Sequence, residues 1–104
     1  MQDHQRLHIE LQGLVQGVGF RPFVYRLAEE HGLAGWVSNT PGGLALEAEG
    51  PLAALASFQV RLREDAPPHA AVQTLRVTRL DLLGEERFVI RDSEIGRASC
   101  RERV

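Results

Sequence analysis

Val15-Gln16-Gly17-Val18-Gly19-Phe20-Arg21-Pro22-Phe23-Val24-Tyr25-Arg26 joins a strand-like run to a helix-like run. Its reading decides the fold. Two glycines in a short loop let the backbone reach φ > 0 and let a ligand approach closely. A turn rich in N–H groups that ends at a helix N-terminus suits an anion. Arg21 adds a permanently charged planar fork that matches two phosphate oxygens. Pro22 belongs in a first helical turn, where its missing N–H is not needed. Two readings of the loop stand side by side: a phosphate cradle, or a connecting turn with Arg21 as a solvated charge.

Outward from that loop, Leu7-His8-Ile9-Glu10-Leu11-Gln12 alternates apolar and polar residues, the pattern of a strand with one buried face. After the loop, Phe23, Val24, Leu27 and Ala28 recur at helical spacing over Pro22 to Glu30. His31 and Gly32 read as the helix end. Leu33 to Asn39 is a second strand, and Thr40-Pro41-Gly42-Gly43 a turn. Leu44, Leu46 and Ala48 alternate with Glu47 and Glu49, which predicts a third strand with its glutamates on a wet face. Leu52, Leu55, Phe58 and Leu62 form a second helical stripe after Pro51. Val72 to Leu80 is a fourth strand, with Leu75 and Val77 on one face, and Arg87 to Arg91 a short fifth. The order βαββαβ plus a short last strand is a ferredoxin-like split βαβ sandwich of the α+β class. Its two single-striped helices are expected on one face of an antiparallel sheet.

At 104 residues this is one small domain. A hydrophobic content of 43% supplies a core, and a formal net charge of −2 gives no basic field for nucleic acid. All twelve basic residues are arginine, a sign of coding bias and not of binding. The single cysteine, Cys100, forms no intrachain disulfide and no cysteine-based zinc site. The N-terminal run lacks the apolar segment of a secretory signal, and no stretch reaches the ~18 apolar residues of a membrane span. The expectation is a cytoplasmic chain without nucleic-acid or membrane partners. Residues 1–93 read as the domain. Glu94 to Val104 shows no periodicity, and its codons can spell a string resembling a sequencing-adapter read, so 94–104 is expected to be a non-native tail.

The chemistry is narrow. There is no Ser-His-Asp set, no HExxH and no Walker loop, and His4, His8, His31 and His69 are scattered. The acidic residues read as solvated charge. Arg21 and Asn39 remain as candidates. Asn39 closes the second strand, where a split βαβ sheet brings it near the first βα loop. It can hydrogen-bond a water there, or merely start the turn. A phosphate monoester needs an acid or a metal to leave, whereas an acyl or carbamoyl phosphate departs as a weak base. Its hydrolysis is then largely positioning and charge stabilisation, with no cofactor and no metal.

Gly13 through Arg21, followed by Gly35-Trp36-Val37-Ser38-Asn39, resembles the acylphosphatase signature, and the resemblance covers about Leu7 to Ser93. It implies that Arg21 and the amides of Gln16, Gly17, Val18, Gly19, Phe20 and Arg21 bind phosphate, and that Asn39 orients the hydrolytic water. The run Val15 to Ala28, with its Gly19 and Arg21-Pro22-Phe23 combination, looks more narrowly like the N-terminal domain of the HypF-type carbamoyltransferases that mature [NiFe] hydrogenases. Phe88 to Ser93 looks like the end of that domain. The resemblance implies carbamoyl phosphate as substrate, with hydrogenase-maturation partners engaged only through downstream domains. A stand-alone acylphosphatase and a non-catalytic phosphate-binding module are the alternatives.

Overall fold

A computed structural model describes residues 3–15, 19–67 and 70–91. The element order is β1 (His4–Leu14), α1 (Phe20–Glu30), β2 (Ala34–Thr40), β3 (Gly43–Pro51), α2 (Leu52–Glu64), β4 (Ala71–Leu80) and β5 (Phe88–Ile90). The split βαβ order is therefore as the periodicities predict. The Ser93 boundary, the 94–104 stretch, His69 and Cys100 lie outside the described residues.

The five strands run β4-β1-β3-β2-β5 across one sheet. β1 pairs antiparallel with β3 and β4, and β2 pairs antiparallel with β3. β5 departs from the expected all-antiparallel sheet, because it pairs parallel with β2. The reason is topological. β4 occupies one edge of the sheet, so the chain must cross to the far edge before it can pair again, and it arrives running in the direction of β2.

The pleat sends alternate side chains to opposite faces. Leu7, Ile9 and Leu11 of β1 and Leu44, Leu46 and Ala48 of β3 all point to one face and are buried. Phe23, Val24 and Leu27 of α1 and Leu55, Phe58 and Leu62 of α2 cover them from the other side. Each of these side chains other than that of Ala48 contributes about 1.5–3 kcal/mol through burial. β4 is the exception. Leu75 is partly covered, but Val77 is 40% exposed, because the edge strand runs out beyond the cover of α2.

α1 starts at Phe20, two residues before the expected Pro22, so the proline sits third in the first turn. His31 ends the helix as expected. Its Nδ1 lies 2.8 Å from the Leu27 carbonyl oxygen and its Nε2 3.0 Å from Ser57 Oγ. Pro51 closes β3 with φ −63° and ψ 146° and caps α2.

The helix-free face is not the wet surface that the alternation of Glu47 and Glu49 suggests. Arg6 is 1% exposed and Glu49 8%. Arg6 Nε donates to Glu47 at 2.8 Å, while Nη1 donates to Glu49 at 3.0 Å and to Glu85 at 3.1 Å. The exposed 81–87 connection roofs this network on its way from β4 to β5. The backbone amides of Leu83 and Gly84 donate to the two Glu49 carboxylate oxygens at 2.9 and 3.0 Å.

Candidate active site

The site begins where β1 breaks step. The β1–β4 register slips between Gln12 and Gly13. At Gly13 φ is +129°, and a Cβ there would stand 2.2 Å from the Ala71 carbonyl oxygen, so only glycine fits. The slip turns the chain out of the sheet, and buried Val15 anchors the start of the loop to the core. Gly19 then delivers the chain to α1 with φ 80° and ψ 18°. This is left-handed geometry that a side chain would resist. Among the described residues no side chain caps this end of α1, and its first turn carries no acidic residue. The partial positive charge of the helix terminus is left un-neutralised by its own helix, which favours a bound anion.

Phe20 is buried and packs edge-on against Phe23, with centroids 5.4 Å apart. The first turn is thereby fixed to the core. Arg21, next along the helix, is only partly buried, and its Nη1 donates to the Arg91 carbonyl oxygen at 2.9 Å. On the neighbouring strand, Asn39 pairs in register with Leu44, which pairs with Leu11. Asn39 therefore lies on the helix-covered face of the sheet, at the end nearest the α1 N-terminus.

Val15, Gly19, Phe20, Arg21, Pro22 and Asn39 line one cavity of about 230 Å³. That is smaller than the roughly 300–1,000 Å³ typical of drug-sized ligands, and it suits a small anion. Of the residues singled out from sequence, the structure brings together Gly19, Phe20, Arg21 and Asn39. Gln16, Gly17 and Val18 lie outside the described residues.

Two features escape a reading of the sequence. One is the Arg91 carbonyl beside Arg21: every residue has a carbonyl, so no residue type signals this one. The other is the Arg6 network. Burial alone would raise the Glu49 carboxyl, but the Leu83 amide, the Arg6 guanidinium and the Gly84 amide outweigh it and hold Glu49 below the ordinary carboxylate range. Burial works against the charge of Arg6, and its bonds to Glu47, Glu49 and Glu85 overcome that effect and raise its pKa. An alternating strand with charges at positions 47 and 49 gave the only signal, and that pattern ordinarily means solvent.

The chain is similar to known proteins. The acylphosphatase family model matches residues 7–90. Carbamoyltransferase HypF2 of Cupriavidus necator is 56% identical over 82 residues, which is 79% of this chain and 9% of that protein. An acylphosphatase of Leuconostoc mesenteroides is 36% identical over 86 residues, covering 82% of this chain and 96% of that one. Among solved structures, full-length HypF in its phosphate- and nucleotide-bound form superposes with a TM-score of 0.87 at 32% identity, over 92% of this chain and 13% of that chain. The chain thus spans about a tenth of the length of the carbamoyltransferases it matches.

Proposed function

This chain belongs to the acylphosphatase family, and on that premise we propose that it hydrolyses acyl phosphates, carbamoyl phosphate foremost, as the N-terminal portion of a hydrogenase-maturation carbamoyltransferase. The observation that carries the proposal is the shared cavity: Arg21, Asn39 and the N-terminus of α1 converge on one small space.

Arg21 and the first amides of α1 grip the phosphoryl oxygens. The family resemblance assigns the amides of Gln16, Gly17, Val18 and Gly19 to the same phosphate. Asn39 holds a water in line with the phosphorus. The water oxygen forms a bond to phosphorus as the bond to the acyl oxygen breaks. The bonding pair leaves on the carboxylate, or on carbamate when carbamoyl phosphate reacts, and the water's protons pass to phosphate and solvent. A leaving group that is already a weak base needs no proton from the protein. The protein supplies position and positive charge, and each such donor is worth about 2.7–4 kcal/mol in the transition state.

The degree of identity favours the carbamoyltransferase assignment over a stand-alone acylphosphatase: 56% to HypF2 against 36% to the Leuconostoc enzyme. The near-complete coverage of the latter supports the smaller enzyme as the second reading. The test is a pair of substitutions assayed on carbamoyl and acetyl phosphate. Arg21→Ala should lose phosphate binding and turnover together. Asn39→Ala should keep binding and lose turnover. Phosphate binding with no turnover in the unaltered chain would leave an anion-binding module.

A further inference from the structure

We infer that the main-chain carbonyl of Arg91 is the positioning group for Arg21, and that strand β2 holds that carbonyl in place. The inference rests on the reading of Arg21 as the anion grip and adds what aims it. An arginine side chain has many rotamers, and a guanidinium that must meet a phosphoryl group from one direction gains from being held beforehand. The 2.9 Å bond from Arg21 Nη1 to the Arg91 oxygen supplies that restraint across 70 residues of sequence. A guanidinium has five N–H donors, so one such bond leaves four for a two-point hold on phosphate.

Three contacts tie the carbonyl to β2. Val37 pairs with Ile90, the residue before Arg91. The Arg91 amide donates to the Val37 carbonyl oxygen at 2.8 Å. The Arg91 guanidinium lies over the Trp36 ring, 4.7 Å from its centroid, in cation–π geometry. Asn39 stands two residues further along the same strand and on the same face as Val37. Both site side chains are thus referenced to one strand, Asn39 directly and Arg21 through Arg91. The chemistry of the acceptor matters as well. A carbonyl orients Arg21 and leaves its charge intact, whereas a carboxylate in that position would compete with an anionic substrate.

Arg91→Pro removes the N–H that bonds Val37 and is the direct test, in the full 104-residue chain. Phosphate affinity should fall about three- to tenfold and KM for acetyl phosphate should rise by a similar factor, the range set by one hydrogen bond. Trp36→Leu should give a smaller change in the same direction, and Trp36→Phe, which keeps a ring, should restore it; this pair serves if the proline variant folds poorly. Nitrogen NMR of the Arg21 guanidinium gives a readout independent of turnover. Its Nη signals should be separately resolved in the unaltered chain through hindered rotation, and should merge in Arg91→Pro. Merged signals in the unaltered chain, or unchanged signals and phosphate affinity in Arg91→Pro, would overturn the inference. Absence of acyl phosphate hydrolysis in the unaltered chain would instead sink the functional reading, and the NMR signals would still decide the Arg91–Arg21 link.

Discussion

Arg6 and Arg21 carry the same guanidinium to opposite fates. Arg6 lies on the helix-free face, 1% exposed, with Glu47, Glu49 and Glu85 around it. Arg21 lies at the rim of a cavity, partly exposed, and bonds a neutral carbonyl. The first has its charge answered three times over by the fold. The second is oriented while its charge is kept for something else. The difference teaches that an arginine's availability for binding is set by what surrounds it, and the residue type alone does not reveal it.

The contrast breaks most sharply on stability. Arg6→Ala would leave carboxylates buried without their counter-charge, and such a loss costs about 3–5 kcal/mol. Urea denaturation should show that drop, with the turnover of each folded molecule little changed. Arg21→Ala should do the reverse. It should remove about 2.7–4 kcal/mol of transition-state stabilisation in acyl phosphate kinetics. Unfolding should move by no more than about 0.5 kcal/mol, as for an ordinary surface change. Parallel effects of the two substitutions on stability would erase the distinction.

Acid sharpens the same comparison. The Glu49 carboxyl is held below its unfolded value, so its contribution to stability is present above the ordinary carboxylate range. It is lost as pH falls through the depressed folded value. Glu49→Gln should therefore destabilise the protein at pH 7 by about 1–2 kcal/mol. The gap from the unaltered chain should close as the pH is lowered, because protonated Glu49 and Gln are alike in charge. Denaturation midpoints over a pH series would measure this, and a gap independent of pH would refute it. The smallest effect is expected at Glu85, which is 36% exposed. Glu85→Ala should cost no more than about 1 kcal/mol, as rim ion pairs do.

What the sequence made legible follows from these environments. The helix-side core was readable because apolar residues at period two in Leu7, Ile9 and Leu11, and at helical spacing in Phe23, Val24 and Leu27, have one economical arrangement. The approach of Asn39 to the first loop was readable because topology dictates which strand lies beside α1. The Arg6 network was not. Alternation says only that positions 47 and 49 face away from the helices, and the cover over them comes from the 81–87 connection, which has no periodicity of its own. The parallel β5 escaped for a related reason: three residues carry no direction until the crossing that precedes them is known. Leu75 and Val77 share one face, as read, opposite Leu11 and Ile9. The 40% exposure of Val77 was not legible, because pattern reveals orientation and says nothing of how far a helix extends above an edge strand.

The bond between Arg21 and the Arg91 carbonyl also sets an order of events during synthesis. Residues near the N-terminus leave the ribosome first, so α1 and its arginine emerge long before the acceptor that aims the side chain, 70 positions later. Until β5 has crossed the sheet and paired with β2, the Arg21 guanidinium has no Arg91 carbonyl to bond. The arrival of β5 is therefore the event that fixes the direction of the Arg21 side chain.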